Sequence, residues 1–330
     1  MPLAEKALIE KIRRHFAKPR IGQVRLGIGE DCAVVRIPAD DEALVTTDFS
    51  IEGIHFRRDW HPAESVGHRC LARGLSDIAA MGGTPLAAFL SLGLPARLPQ
   101  SWVDGFMRGF TQLANRFKVP LAGGDTAESP AGVLADVVLL GSVPVGNAIT
   151  RSGARPGDVI YVTGALGGSA AAFEALTRKK KLLARNYERH YYPLPRIEVG
   201  RFLREHDLAS SMIDLSDGLS TDLAHICEES GVGAEITAAW LPRASVGKLQ
   251  TLVALGHALH GGEDYELLFT ARNNQPVPSR IHRVAVTRIG QIIKGKHLFL
   301  NDGETRARLH VRGWEHFRRK LDHVNGRHVE

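Results

Sequence analysis

Cysteine and aromatic residues are scarce in this sequence. Its 330 residues include three cysteines and only 6% aromatic side chains. None of the cysteines (Cys32, Cys70 and Cys227) has the CxxC spacing of a zinc or redox site, so we expect reduced thiols. Thiols of this kind are typical of a cytoplasmic protein, in which all three would pack as small core residues.

Long apolar runs are absent as well. No stretch approaches the roughly 20 apolar residues that span a bilayer. Residues 1–10 also lack the basic-then-apolar order of a secretion signal. We therefore expect no membrane partner. The composition, with 44% hydrophobic and 24% charged residues, is that of an ordinary globular protein.

Positive charge is in modest excess but is not concentrated. The net charge of +6 and the pI of about 9.3 raise nucleic acid as a partner. However, the densest basic runs, residues 178–181 and 318–320, have few interleaved aromatics. We therefore interpret them as solvated surface and expect no nucleic-acid partner, although basic character could attract an anionic small molecule.

Several familiar catalytic and nucleotide-binding motifs are missing. The sequence has no GxSxG elbow, no HExxH helix and no HRD or DFG motif. Residues 27–29 lack the third glycine and the following helix of a dinucleotide fingerprint. Residues 290–297 begin like a phosphate-binding loop, but His297 stands where Ser or Thr must ligate Mg²⁺. Any nucleotide would therefore bind by a less common route.

Carboxylates recur beside Gly, Ser or Thr at the ends of apolar segments. The clearest case is Gly123-Gly-Asp-Thr126, which follows a short apolar run and lets the backbone approach a ligand closely. The same pattern places six aspartates at strand or helix ends: Asp31, Asp48, Asp77, Asp125, Asp214 and Asp217.

Six such carboxylates predict a cation site. Carboxylates gathered in one cleft repel one another unless cations lie between them. Mg²⁺ prefers a few carboxylates together with water and phosphate oxygens, so the pattern predicts Mg²⁺ bridging a polyphosphate during phosphoryl transfer. Taken singly, Asp77 could instead pair with Arg73 one helical turn earlier. Asp217 could likewise complement the positive end of its helix, and Asp48 could be a turn residue.

Hydrophobic periodicity predicts a mixed α/β protein. We expect a first helix over residues 3–17, a hairpin formed by strands 32–37 and 43–48, and then alternating helices and strands up to residue 145. This order resembles a split ferredoxin-like arrangement. Loop-like composition around residues 147–156 predicts a boundary between domains 1–149 and 150–330, the second again α/β.

Three other side chains are candidates for ligand contact. His55 follows Asp48 closely enough to line the same cleft, but could be an ordinary loop histidine. Arg151 lies at the inferred domain junction, where its planar fork could clamp a phosphate or simply face solvent. Trp314 could stack on a flat ring or pack in the core.

Seven motifs occur in the same order as in a known family, and the resemblance extends over nearly the whole chain. The chain is similar to the thiamine-monophosphate kinases, in the aminoimidazole-ribonucleotide synthetase superfamily. The motifs lie at residues 27–34, 46–56, 75–82, 123–126, 155–158, 214–219 and 262–267. The resemblance implies a ferredoxin-like N-terminal domain, a C-terminal α/β domain, and a homodimer built through the N-terminal domains. It also implies ATP-dependent phosphorylation of thiamine monophosphate to thiamine diphosphate.

The resemblance also implies roles for individual residues. Asp48, Asp125 and Asp217 are the expected catalytic residues, and Glu263, His55 and Trp314 would contact thiamine. ATP contacts would come from Gly124, Asp125, Arg151 and Ser216. Magnesium ligands would be Asp31, Thr46, Thr47, Asp48, Asp77, Asp125, Asp214 and Asp217. The chain departs from the family at Glu30, where an aspartate is usual, and at Gly74, where an asparagine is frequent.

Other functions remain open at this point. Selenophosphate synthetase would show a reactive cysteine in a glycine-rich N-terminal stretch, and the hydrogenase-maturation dehydratase would end in a cysteine tail. Aminoimidazole-ribonucleotide synthetase itself is a further alternative. Outside the superfamily, a Mg²⁺-dependent phosphohydrolase would release phosphate from ATP without an acceptor. A basic nucleic-acid-binding protein would instead show steep salt dependence of its affinity.

Overall fold

The computed structural model describes residues 1–16 and 23–314, apart from the side chains of residues 15 and 16. The basic run at 318–320 lies outside this part. The helices are α1 Glu5–Phe16, α2 Ala63–Ala80, α3 Gln100–Phe117, α4 Gly168–Thr177, α5 Glu188–Tyr191, α6 Ile197–Glu205, α7 Leu219–Ser230 and α8 Leu255–His260.

The strands fall into two larger sheets and two short pairs. They are β1 Val24–Leu26, β2 Val34–Val35, β3 Asp41–Ile51, β4 Thr84–Pro95, β5 Leu121–Ser129, β6 Leu134–Pro144, β7 Val159–Thr163, β8 Ser211–Asp214, β9 Gly233–Thr237, β10 Ser245–Val246, β11 Thr251–Leu252, β12 Leu267–Ala271, β13 Arg280–Ile281, β14 Val284–Ile293, β15 Leu298–Asn301 and β16 Arg306–Arg308.

The first half of the chain forms a four-stranded sheet in the order β3-β6-β4-β5. Strands β4 and β5 are parallel, and the other neighbours are antiparallel. Helices α2 and α3 cover one face, because α2 presents a buried apolar stripe that includes Val66, Leu71, Leu75 and Ile78. This arrangement confirms the predicted mixed α/β architecture.

Helices α2 and α3 pack with their backbones almost in contact. A Cβ added at Gly67 would lie 1.9 Å from the Phe106 carbonyl oxygen, and one at Gly109 would lie 1.8 Å from the Glu64 carbonyl oxygen. Only glycine allows this approach. The close packing fixes α2 over the sheet, and α2 carries several of the residues discussed below.

The predicted hairpin between residues 32–37 and 43–48 is wrong. Strand β2 pairs with β1, whereas β3 pairs along all of its length with β6. Strand β6, nearly a hundred residues further along the chain, is long enough to pair with all of β3, whereas β2 has only two residues. The predicted burial of Cys32 is also wrong: this residue is exposed in the turn after Asp31, while Cys70 and Cys227 are buried.

The second half of the chain forms an eight-stranded sheet in the order β16-β15-β9-β14-β7-β12-β8, with β13 beside β14. The rejected phosphate-binding segment at 290–297 runs from β14 towards β15, as expected. The domain boundary at residue 150 falls between β6 and β7 and stays a prediction. Among the described residues, no helix combines the length and apolar character needed to cross a membrane.

Helix α2 is the element on which the two halves meet. A Cβ added at Gly200 of α6 would lie 2.0 Å from the Ala79 carbonyl oxygen of α2. The Arg204 Nε donates to the Gly82 carbonyl oxygen at 2.8 Å. Strand β8 also contacts α2 and ends at Asp214. The carboxylates of both halves are therefore brought to one face of α2.

Candidate active site

Three aspartates from different elements form the centre of the site. Asp48 lies on β3, Asp77 near the end of α2, and Asp214 at the end of β8. Side chains two apart on a strand share a face, so Thr46 and Asp48 both face α2. The Thr46 hydroxyl donates to the Asp77 carboxylate, and the Ser76 hydroxyl donates to Asp214 at 2.8 Å.

The three carboxylates are crowded enough to hold protons. Burial, and next the negative charge of Asp77, raise the pKa of Asp48 to about 7 and that of Asp214 to about 8. Burial also raises the pKa of Asp77. In addition, one buried oxygen of Asp48, Oδ2, has no hydrogen-bond partner within the described part of the chain. A cation placed here would relieve the repulsion and satisfy this oxygen.

The loop after β8 adds Ser216 and Asp217. Its backbone is fixed by Asp222, whose Oδ2 accepts hydrogen bonds from the amides of Asp217 and Gly218 at 3.3 and 3.0 Å. Ligand atoms of Asp217, Asp222 and His225 lie within 4.8 Å of one another. Burial, and next the charges of Asp214 and Asp217, raise the pKa of Asp222, so this turn lies near the Asp214 end of the central cluster.

Arg151 brings positive charge to this acidic site. It is exposed, and it lies close enough to Asp77 and Asp214 to oppose the rise in the pKa of both carboxyl groups. Arginine offers a planar set of donors that matches phosphate oxygens. The site therefore combines acceptors for a cation with a donor for an anion.

Asp125 lies apart from this cluster within one chain. Strand pairing aligns Asp125 with Ser91, Ser91 with Asp136, and Asp136 with Phe49. Asp125 thus lies three strands away from β3, a distance of about 14 Å across the sheet. Asp125 is in register with Phe49, which neighbours Asp48 on β3, so Asp125 lies on the opposite face of the sheet from Asp48. Asp125 is exposed on the edge strand, next to Gly124, whose φ of +152° only glycine adopts readily.

Asp31 and Thr47 also lie outside the central cluster. Asp31 is exposed in a loop beside β5, where a Cβ added at Gly27 would lie 3.3 Å from the Ala122 carbonyl oxygen. The Thr47 hydroxyl donates to Asp136 at 2.9 Å on the face away from α2. The structure therefore does not bring the Thr47 hydroxyl to Asp48 and Asp77, because neighbouring residues of a strand point to opposite faces.

Two of the residues expected to contact thiamine, His55 and Glu263, are linked through Arg69. The Glu263 carboxylate accepts hydrogen bonds from Arg69 at 2.6 and 2.7 Å and from Arg73 at 2.6 Å. Arg69 also donates to the His55 carbonyl oxygen at 3.2 Å. Trp314 is 54% exposed, and its amide donates to the Asp217 carbonyl oxygen at 3.1 Å. His55 and Glu263 are thus neighbours, and Trp314 borders Asp217.

Sequence reasoning missed Arg69, Glu263's second partner Arg73, and Asp222. Arg73 pairs with Glu263, which leaves the proposed pairing of Asp77 with Arg73 unsupported by an ion pair. A usable signal was present, since Arg69, Arg73 and Asp77 repeat every four residues and must share one face of α2. Three charged residues on a helix whose other face is apolar indicate a polar site.

The chain is similar to known proteins over almost its whole length. Residues 29–143 match the N-terminal domain of the AIR synthase related proteins, and residues 155–303 match the C-terminal domain. The thiamine-monophosphate kinase of Escherichia coli (strain K12) is 40% identical, covering 93% of this chain and 97% of that protein.

Solved structures give the same result. The crystal structure of thiamine-monophosphate kinase from Stenotrophomonas maltophilia K279a has a TM-score of 0.79 at 35% identity, covering 92% of this chain and 99% of that one. The structure described as "AaThiL complexed with AMPPCP and TMP" has a TM-score of 0.74 at 30% identity, covering 96% of this chain and 97% of that one.

Proposed function

The chain belongs to the AIR synthase related proteins and, among them, to the thiamine-monophosphate kinases, and we propose that it transfers the γ-phosphoryl group of ATP to thiamine monophosphate. The observation that carries this proposal is the cluster of Asp48, Asp77 and Asp214, to which the motif residues of both halves contribute. A relative solved with AMPPCP and TMP supports the same pair of substrates.

The central carboxylates fit magnesium. Asp48 has a buried oxygen without a partner in the described residues, and burial, followed by the negative charge of Asp77, raises the pKa of both Asp48 and Asp214. Mg²⁺ would be held by Asp48, Asp77, Asp214 and Asp217, with Thr46 as a neighbour. When bound, Mg²⁺ would neutralise the phosphate charge that develops during transfer.

The remaining chemistry requires positioning more than proton transfer. The attacking oxygen of thiamine monophosphate is already ionised, so no residue of this chain has to act as a general base. Arg151 would orient a phosphate group beside the carboxylates. Ser216 would contact ATP from the loop that also presents Asp217. Holding the two substrates in line accounts for most of the expected rate enhancement.

The thiamine end of the substrate would lie near His55, Glu263 and Trp314. Although burial favours the neutral carboxyl group, Arg69 and Arg73 lower the pKa of Glu263 to about 2, so the carboxylate stays ionised. It can therefore accept a hydrogen bond at any physiological pH. The exposed ring of Trp314 offers a flat apolar surface for an aromatic ring.

A homodimer would complete the site. The face of the four-stranded sheet away from α2 exposes Val45 at 66% and Phe49 at 54%, which makes it a candidate interface. Asp125 and Gly124 lie on this sheet at the opposite edge from Asp48. A second copy would bring its own Asp125 and Gly124 to the cluster, so these two predicted residues would act across the interface.

Product formation tests the proposed reaction. Purified protein is incubated with ATP, Mg²⁺ and thiamine monophosphate, and thiamine diphosphate is measured by chromatography. We expect product only when both substrates and the metal are present, and none with a chelator. ATP turnover that is independent of thiamine monophosphate would instead identify a phosphohydrolase.

A further inference from the structure

Arg69 connects the two halves of the chain at the substrate end of the site. Its side chain is only 5% exposed, and its guanidinium contacts three residues. One terminal nitrogen donates to both carboxylate oxygens of Glu263 and to the His55 carbonyl oxygen, and the other lies 3.0 Å from Nε2 of His61. His55 belongs to the first half and Glu263 to the second.

The contacts of Arg69 continue into a buried chain of hydrogen bonds. His61 Nε2 lies 3.0 Å from His190 Nε2, and His190 Nδ1 lies 2.9 Å from the Ser169 hydroxyl. Arginine can only donate, so His61 Nε2 must accept from it. His190 then donates to His61 through Nε2 and accepts from Ser169 through Nδ1. The single lone pair of His61 Nε2 is then shared by two donors, Arg69 and His190, and in this arrangement both histidines are neutral.

Glu263 is held from its backbone as well as from its carboxylate. Its amide donates to the Ser216 carbonyl oxygen at 2.8 Å, and its φ of +63° is unusual for a residue with a side chain. Arg69 and Arg73 make three hydrogen bonds to the carboxylate, which can accept about four. Within residues 1–16 and 23–314, these donors leave one acceptor position of the carboxylate for a ligand, and its direction is set by the two guanidinium groups.

We propose that Arg69 is a positioning residue for the aromatic end of the substrate. By binding the His55 backbone and the Glu263 carboxylate with one guanidinium, it sets the spacing between the two residues that would contact that end. Glu263 then offers its remaining lone pair to the amino group of the substrate's pyrimidine ring. This inference rests on the proposed function. It adds a residue that contributes to the recognition of thiamine monophosphate but not of ATP.

The test compares two conservative variants of arginines that join the halves of the chain. Arg69→Lys keeps the charge but loses the planar fork, so His55 and Glu263 can no longer be held together. Arg204→Lys is the matched control, because Arg204 is also largely buried and bonds Gly82 across the halves without touching either residue. We expect Arg69→Lys to raise the KM for thiamine monophosphate about tenfold or more and to leave the KM for ATP within about twofold. Arg204→Lys should change neither constant.

A double variant separates positioning from general damage. If Arg69 acts through Glu263, Arg69→Lys should add little to the effect of Glu263→Gln on the KM for thiamine monophosphate. Should Arg69→Lys fail to fold, Glu263→Asp replaces it, because the shorter side chain moves the carboxylate while keeping its charge. A selective rise in the same KM is expected there too.

Two results would overturn the inference, and they differ from failure of the proposed function. Equal changes in both KM values for Arg69→Lys, or an unchanged KM for thiamine monophosphate, would show that Arg69 has no positioning role. If the wild-type chain forms no thiamine diphosphate from ATP and thiamine monophosphate, the proposed function itself fails and the inference fails with it. The wild-type assay therefore comes first.

Discussion

At the scale of single residues, the site holds buried carboxylates whose negative charges repel one another. Asp48, Asp77 and Asp214 lie in one cleft, and the pKa values of about 7 and 8 for Asp48 and Asp214 measure how strongly burial and like charge disfavour their ionised forms. A chain that only had to be stable would not retain three such carboxylates. The proposed binding of a cation would explain why they are retained, in keeping with the general conflict between stability and function.

Replacing Asp48 by Asn should separate the effect of this carboxylate on stability from its effect on activity. The amide removes one negative charge beside Asp77, so we expect the metal-free variant to unfold a few degrees above the wild type at pH 8. Activity should fall on the order of 10³-fold, because a ligand for the cation is lost. Thermal unfolding in the presence of a chelator and initial rates with saturating Mg²⁺ check both parts. Near-normal activity, or a lower unfolding temperature without metal, would contradict this account.

At the scale of elements, helix α2 organises the site. It carries Arg69, Arg73, Ser76 and Asp77 on the side that faces the second half of the chain, and it packs on α3 through glycine contacts. The position of these side chains therefore depends on how closely α2 and α3 approach.

Substituting Gly109 by Ala tests this packing. A Cβ at Gly109 would lie 1.8 Å from a backbone oxygen that cannot move alone, so we expect a loss of about 3 kcal/mol or more in the free energy of unfolding. Gly256→Ala in α8 is the matched control, because a Cβ there has no neighbour within 4 Å. Denaturant unfolding of both variants checks the prediction. Similar stabilities for the two variants would show that α2 and α3 are not packed as described.

The elements also show what sequence alone can predict. The central aspartates could be found because each lies in a short motif with Gly, Ser or Thr, and the strand–helix alternation follows from periodicity. The period of two along a strand puts the Thr47 hydroxyl on the opposite face from Asp48, and the role of Thr47 as a magnesium ligand stays a prediction. The β3–β6 pairing and the Arg69–Glu263 ion pair could not be predicted, because they join residues 83 to 194 positions apart through the tertiary fold.

At the scale of the whole molecule, the two halves are joined by a buried pair of neutral histidines. Burial, and next the charge of Arg69, lower the pKa of His61 from an ordinary value of 6.5 to about 4, and burial places that of His190 well below its usual value. The folded chain thus binds fewer protons than the unfolded chain between about pH 6.5 and pH 4. The stabilisation is complete above this window and is lost as the pH falls through it.

A His61→Gln variant isolates this contribution. We expect the variant to be less stable than the wild type at pH 7.5. The difference should shrink by about 2 kcal/mol at pH 5, because His61 of the wild type is then protonated in the unfolded chain but not in the folded chain. Asp48 and Asp214 titrate with the opposite sign, but equally in both proteins, so they cancel. Urea unfolding of both proteins at the two pH values measures the difference. A difference that does not change with pH would contradict the neutral histidine pair.

The proposed dimer predicts complementation between inactive variants. If Asp48 and Asp125 of one site come from different copies, mixing Asp48→Ala and Asp125→Ala chains under exchanging conditions should restore about a quarter of wild-type activity. Each mixed dimer would then contain one intact site and one doubly altered site. Rates measured before and after exchange give the result, and the separate variants at the same concentration are the controls. No recovery in mixtures shown to contain mixed dimers would place both carboxylates in the site of a single chain.

The most direct test of the proposed reaction follows the phosphoryl group itself. The chain is incubated with ATP labelled in its γ-phosphate, with Mg²⁺ and with thiamine monophosphate, and the label is partitioned between products. We expect label to appear in thiamine diphosphate in an amount equal to the ADP formed, and little ATP to be consumed when thiamine monophosphate is withheld. Label appearing in inorganic phosphate at the same rate with and without thiamine monophosphate would contradict this expectation.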